Sequence, residues 1–360
     1  MAITTQSEIA GPVNVVYQTG LLRRAEANCP YFKGSMPASI SQHSGTFTAK
    51  WRRYEHLTAV TTALSELTGS VTFPTRTAVQ PSVTDVTATV QKFGNFIFLS
   101  EEVDLVNVER PMMELVNVLG DNAGQSLNRL QRNELEDNST QMFAAAATTA
   151  TDVSGLAGVG FMTRTLIARI VNTLQRNNAM KFMPQTLGSQ NVGTAPVRAS
   201  FWGFCHPDAE EDIRTLTGFN SVETYAGQTN TEQGEFGHVG GVRWISTSEA
   251  GIDAGGGASA TASATSDGRS TSNRYDVYTS VVIGMEAVGS LGLDATHIKE
   301  VYRQDDRLPA VQLISKAKGS AGTADPLNEV ASVGWKTWHV AKILNSNFCR
   351  AILHTASRLE

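Results

Sequence analysis

Little in this sequence is equipped for chemistry. Its 360 residues hold three cysteines, Cys29, Cys205 and Cys349, odd in number and far apart. With no CxxC pair there is neither zinc spacing nor a disulfide framework, and a reducing compartment is the expectation. Aromatic residues make up 7% and charged residues 18%, both low, against 41% hydrophobic, which is enough for a real core. The formal charge of −5 argues against a chain whose main affinity is for nucleic-acid phosphate, since that needs a basic surface. The N-terminus has no charged region leading into an apolar run, so no secretory signal is read. No stretch approaches the roughly 20 apolar residues of a membrane helix, and no membrane partner is expected.

A catalytic set is also missing. His206 beside Cys205 and near Asp208 is the best nucleophilic cluster. Adjacent strand residues point to opposite faces, however, and the turn at Pro207 accounts for His206 as loop structure. His238, in Gly-His-Val-Gly-Gly, has no second ligand at helical or hairpin spacing, so a satisfied loop histidine is the simpler reading. Asp305-Asp306 is flanked by Arg303 and Arg307, which makes a solvated turn of it rather than a cation site. The glycines at 155, 158 and 160 are in the wrong order for a dinucleotide fingerprint, and no P-loop exists. No catalytic, cofactor-binding or metal residue is assigned and no enzyme is read.

What is present is organised around residues 111–138. Met112, Val116, Leu119, Ala123, Leu127 and Leu130 recur every three or four positions, laying one apolar stripe along a helix of roughly 40 Å. Pro111 suits the first helical position, where a missing N–H costs nothing. Gly120 and Gly124 each weaken the helix by about 1 kcal/mol relative to alanine, so packing must hold it. Before it, residues 46–54 alternate, with Phe47, Ala49 and Trp51 on one face. A partner strand spans 83–99, with Val86, Ala88, Val90, Phe96 and Phe98 predicted on one face and Gly94 marking a bulge or bend. The 55–82 connection is long and poor in large apolar residues. It reads as a protruding hairpin or as a flexible surface loop. Residues 1–42 have too little periodicity to bury themselves and read as an arm laid on another surface, or as disordered.

After the long helix, Thr163 is placed as N-cap of a second helix with Leu166, Ile167, Ile170, Val171 and Leu174 as its apolar face. Strands are predicted at 198–204, 242–245, 277–283, 311–314 and 330–344, and residues 250–273 form a Gly/Ala/Ser/Thr loop. Strands alternating with helices over 163–295 suggest an α/β subdomain. Trp335 and Trp338 have opposite parity, implying a sheet covered on both faces, one of them by the long helix.

Five blocks carry a resemblance: TAKWRRYEHLTAVTTALSEL, TDVTATVQKFGNFIFLSEEVDL, TLQRNN, GEFGHVGGVRWISTSEA and GSAGTADPLNEVASVGWKTWHVAKILN. Taken in order over residues 12–357, they resemble the major capsid proteins of tailed phages of the coliphage N-four type. The resemblance implies an α+β Hong Kong 97-type capsid fold: an arm at 1–42, an extended loop with flanking strands at 43–100, a peripheral domain with a spine helix at 101–145 and 296–360, and an axial α/β domain at 146–295. It further implies hexamers and pentamers in an icosahedral shell around double-stranded DNA, assembled in the host bacterial cytoplasm, with portal and decoration proteins as further partners. The arm begins almost at Met1, so any scaffolding protein is expected to be separate. Residues 55–82 contain no lysine, against crosslinking through that loop.

In the basic-aromatic knot at residues 50–54, Arg52 and Arg53 are expected to make inter-subunit ion pairs, with Glu66 as a carboxylate partner. Charge reversal at Arg53 is expected to slow assembly without unfolding the subunit. Two rivals stand beside this reading. One is a bacterial nanocompartment shell resembling encapsulin, enclosing enzyme cargo. The other is a metal-dependent hydrolase using His206, Asp208 and His238.

Overall fold

A computed structural model describes residues 30–32, 34–38, 47–55, 57–59, 61, 80–106, 111–182, 199–225, 231, 234–260, 268–291, 311–316, 318–319 and 325–358. The long helix runs Pro111–Asn138, as its stripe predicts. Val116, Leu119, Ala123 and Leu127 are buried along it and pack on Val311, Val333 and Trp335. Those three partners belong to a three-stranded antiparallel sheet ordered β15 (Val311–Lys316), β16 (Val330–His339), β4 (Gln91–Ser100). Tryptophan parity works as expected. Trp335 faces the helix and its indole N–H donates to Asn122 Oδ1 at 3.1 Å, while Trp338 on the opposite face stacks on Phe47 with ring centres 5.5 Å apart.

The expectation of one strand over residues 83–99 needs correcting. Among the described strands β2 (Thr48–Tyr54) pairs only with β3 (Val83–Thr89), and β4 turns away to pair with β16. Val86, Ala88 and Val90 look into a cluster with Trp51, Leu291 and Leu344. Beyond Val90 the buried parity switches to Phe93, Ile97 and Leu99, leaving Phe96 and Phe98 outside. The switch falls at the β3–β4 junction, where Val90 N–H bonds to Phe47 O at 2.8 Å. Gly94 is not a bulge, because the ladder to β16 runs through it in register. Its role is close approach: a Cβ there would lie 2.5 Å from the Trp335 carbonyl oxygen.

The larger sheet is ordered β5 (Thr140–Phe143), β18 (Cys349–His354), β13 (Val277–Ile283), β6 (Phe201–Cys205), β9 (Val242–Ser246), β8 (Glu235–Val239), β7 (Asn220–Ser221), with β10 (Gly251–Asp253) also on β13. Thr163 caps helix Arg164–Arg176, its Oγ1 accepting from Leu166 N–H at 3.2 Å. All five predicted apolar residues of that helix are buried against Phe201, Val242, Trp244 and Ile352. β11 (Ser270–Thr271) and β12 (Arg274–Tyr275) form a hairpin that closes the 250–273 loop.

A small sheet joins the two bodies: β1 (Met36–Ala38) runs parallel to β14 (Val288–Leu291), which pairs with β17 (Ala341–Ile343). Residues 30–38 thus differ from the expected arm, since they are tied to the chain's own body. Tyr31 is buried with its ring 4.7 Å from that of Phe204, and its N–H donates to Asn128 Oδ1 at 3.1 Å. The remainder of the proposed arm, residues 1–29, and most of the 55–82 connection, residues 62–79, lie outside the described residues.

Candidate functional site

The two arginines singled out from sequence sit on β2, and alternation sends them to different surroundings. Arg52 is exposed and reaches across to Asp85 on β3, with Nε 2.9 Å from Oδ1. Lys50 adds a second contact to the same carboxylate, Nζ 2.6 Å from Oδ2. Hydrogen bonding from Arg52, and then from Lys50, pulls the Asp85 carboxyl down to about 2. Arg53 is turned inward. Its Nε donates to Glu55 Oε1 at 2.9 Å and its Nη1 to the Leu344 carbonyl at 2.9 Å, fastening the β2–β3 ribbon to the body. Both side chains therefore have partners within their own chain. Reversal of Arg53 would also loosen the ribbon, which changes the expectation drawn from sequence, and Arg52 becomes the cleaner surface probe. Glu66 lies outside the described residues. Sequence reading missed the partners Asp85 and Glu55, although cross-strand register brings Arg52 and Asp85 directly opposite.

A second constellation was not singled out at all. Arg129, Arg132 and Glu136 recur on one side of the long helix and grip the 247–251 turn. The Arg129 guanidinium meets the Glu249 carboxylate, Nε to Oε2 at 2.5 Å, and Arg132 Nη1 donates to the Glu249 carbonyl at 2.7 Å. Gly251 N–H donates to Glu136 Oε1 at 2.9 Å. Burial pushes the Glu136 carboxyl up to about 7, against the opposing pull of Arg132 and of the Gly251 hydrogen bond. A Cβ at 251 would lie 2.3 Å from Glu136 Oε2, so any larger residue there has to push that carboxylate aside. On the neighbouring face Glu134 accepts from Ile343 N–H at 3.2 Å and pairs with Lys342 at 3.1 Å. The helix is thus a rod pinned to both sheets. Its spacing of three and four residues was a legible signal, but the turn it grips was not.

The residues of the hydrolase reading are only partly gathered. His206 Nδ1 lies 3.3 Å from Asp208 Oδ2, with Tyr278 donating its hydroxyl to Asp208 at 2.8 Å and Arg269 at 3.2 Å. His206 Nδ1 also accepts from Asp208 N–H at 3.1 Å, capping the short turn of helix that begins at Pro207. Burial holds its pKa below the ordinary value. His238 sits on β8 opposite Asn220 and Arg243, two strands away from β6. Cys205 is buried and its thiol is pushed up by burial, the reverse of an activated nucleophile. A buried charge pair, Arg243 with Glu235, is enclosed by the Tyr225 hydroxyl and the Trp202 ring, the guanidinium 4.4 Å from the ring centre. Among the described residues no three His, Cys, Asp or Glu side chains are grouped to hold a metal, and no helix is long and apolar enough to cross a membrane. Asp305 and Asp306 lie outside the described residues.

What the surface does display is apolar area. Phe47, Tyr54, Leu57, Phe96, Phe98 and Leu105 are each more than half exposed. A monomer rarely leaves so many large apolar side chains in water, and such surfaces mark contact with other molecules.

Comparison with known proteins agrees with this picture. A family model described as phage capsid protein matches residues 83–349. Among curated proteins no match is found. The fold is similar to the capsid of Ralstonia phage GP4, at TM-score 0.61 and 10% identity over 92% of this chain and 93% of that one. It is similar also to the head structure of Helicobacter pylori bacteriophage KHP40, at TM-score 0.54 and 12% identity over 92% and 91%. A third likeness is to the capsid of cyanophage Pam1, at TM-score 0.52 and 12% identity over 93% of each chain. Two packed sheets on one long helix, an apolar surface awaiting neighbours and a family match over most of the sequence lead to one conclusion: the chain belongs to the phage capsid protein family and is a shell subunit with the Hong Kong 97-type fold.

Proposed function

We propose that copies of this chain form hexamers and pentamers that close into an icosahedral head around double-stranded DNA. Head-to-tail contacts that close by rotation give rings, and rings of two sizes close a shell. The observation that carries the reading is the exposure of Phe47 and Tyr54 beside the β2–β3 ribbon and of Phe96 and Phe98 on β4, which find no cover among the described residues. We read residues 1–29 and 55–82 as the pieces that reach onto neighbours, with Arg52 at their base and Glu66 within them. The chain acts as structure and not as an enzyme.

A net charge of −5 fits a wall that touches DNA weakly, because tight phosphate binding would impede passage of the genome. Assembly in the host bacterial cytoplasm, a separate scaffolding protein, a portal, decoration proteins and membership of the coliphage N-four type belong to the same proposal. Apart from the separate scaffold, they rest on the resemblance of the sequence blocks.

Electron microscopy of the purified protein tests it, together with nuclease treatment of particles from infected cells. Closed shells holding nuclease-resistant DNA are expected. Shells filled with protein cargo would favour a nanocompartment, and a solitary subunit at high concentration would reject assembly. Limited proteolysis supplies a second readout: cleavage within 1–29 and 55–82 of free subunits should disappear in particles. Equal cleavage in both states would sink the proposed reach of these segments.

A further inference from the structure

Among the described residues, one face of the β15–β16–β4 sheet is unpartnered along half its length. The face opposite the long helix carries, strand by strand, Lys92 beside Trp338, Lys336 beside Gly94 and Gln312, Phe96 and Ile314 beside Gly334, Phe98 and Lys316 beside Ser332, and Val330. Phe47 and the β3 residues Val86 and Ala88 cover its Trp338 end. Toward the other end nothing described lies over it. Phe96 is 63% and Phe98 66% exposed, their rings edge to face at 5.1 Å, with Ile314 and Val330 also exposed. Gly334 lets the Phe96 ring base lie close to the sheet, since a Cβ there would be 2.7 Å from Phe96 Cβ. Every charged residue on this face, Lys92, Lys316 and Lys336, is a lysine.

An apolar floor rimmed by one sign of charge selects a partner that is apolar and carries the other sign. The chain exposes such an element. The short helix Glu101–Val106, which follows β4, presents Val103 at 47% and Leu105 at 75% exposure beside Glu101 and exposed Glu102. It starts where β4 ends, with Glu101 N–H bonded to Glu329 O at 2.8 Å. We propose that the open face around Phe96 and Phe98 is an interface between copies of this chain, occupied by the 101–106 helix of a second copy. The exposed Leu105 would enter between the two phenylalanines and Ile314, and the carboxylates of Glu101 and Glu102 would meet Lys316 and Lys336. The inference rests on the shell reading and names the surface that reading leaves open.

The test uses Phe98→Cys in a Cys29→Ser background, the other two cysteines being buried. Maleimide labelling of the introduced thiol should be at least about tenfold slower in assembled particles than in free subunits, as at a desolvated interface centre. Particles that form normally yet label as fast as free subunits would overturn the inference while leaving the shell reading intact. Protection that vanishes when a non-capsid protein is stripped from the particles would overturn it as well. Lys316→Glu with Lys336→Glu should slow assembly by about tenfold at low salt. Adding Glu101→Lys and Glu102→Lys should recover most of that rate. Unchanged assembly of the lysine variant, or no recovery in the fourfold variant, rejects the charge pairing and with it the assigned occupant. Failure of the unaltered chain to assemble under every condition would instead reject the shell reading.

Discussion

Replacing Glu136 with glutamine should stabilise the subunit at pH 8 and leave it nearly unchanged at pH 5. The carboxylate is 15% exposed, 3.5 Å from Arg132 Nε, and accepts the Gly251 N–H. Its folded pKa, about 7, lies above the ordinary 4.5 because burial disfavours the charge. An acid whose folded pKa is raised lends stability that is complete below about 4.5 and is lost as pH rises through about 7. At 1.36 kcal/mol per unit the loss by pH 8 is roughly 3 kcal/mol. Glutamine keeps an oxygen for Gly251 and bears no charge, so the variant escapes that loss and forgoes only a long ion pair. Buried His339 complicates the native curve, because burial holds its pKa at about 4 and stability falls as the solution is acidified from 6.5 toward that value. That effect is common to both proteins and cancels in their difference. Urea unfolding of free subunits between pH 5 and 8, read as variant minus native, should therefore climb by about 2–3 kcal/mol. A flat difference, or a variant weaker at pH 8 than at pH 5, would refute the account of Glu136.

Other outcomes follow from the same contacts. Leu119→Ala empties a fully buried place between the long helix and its sheet, and should cost about 2–5 kcal/mol in chemical unfolding. Thr163→Ala removes a cap on helix Arg164–Arg176 and should cost about 1 kcal/mol by the same measurement. Arg52→Glu should slow assembly, followed by light scattering, with only a small drop in the unfolding midpoint from the lost Asp85 pair; Arg53→Glu should slow assembly and lower the midpoint further, because it breaks the Glu55 and Leu344 contacts. Gly251→Ala should weaken the grip of the long helix on the 247–251 turn, seen as faster amide exchange there.

The legible parts of this fold were those fixed by local periodicity. The stripe through Val116, Leu119, Ala123 and Leu127 needs only the 3.6-residue repeat, and Thr163 needs only the position of an orphan N–H. Alternation also placed Ala49 and Trp51 inside. It failed at Val90, where the buried side changes because β3 and β4 join different sheets. Nothing within a short alternating stretch records a partner more than two hundred residues away. β18 escaped for a related reason: Arg350 stands second in it, and its burial makes sense only once Nη1 is seen to donate to the Ser346 and Cys349 carbonyls, each at 2.7 Å. The candidate site was half legible. Arg52 and Arg53 marked the right ribbon, yet which of them faces outward depends on register, and the Arg129–Arg132–Glu136 grip depends on a turn distant in sequence.

The position of β18 has a consequence for how subunits are made. Cys349–His354 lies between β5, to which it is parallel, and β13, to which it is antiparallel, with all six residues buried. The last described strand to leave the ribosome is therefore an inner plank of the larger sheet, which stays open between β5 and β13 until it arrives. A product of interrupted synthesis would present two raw edges and a split core, and could not take up the outline its neighbours need.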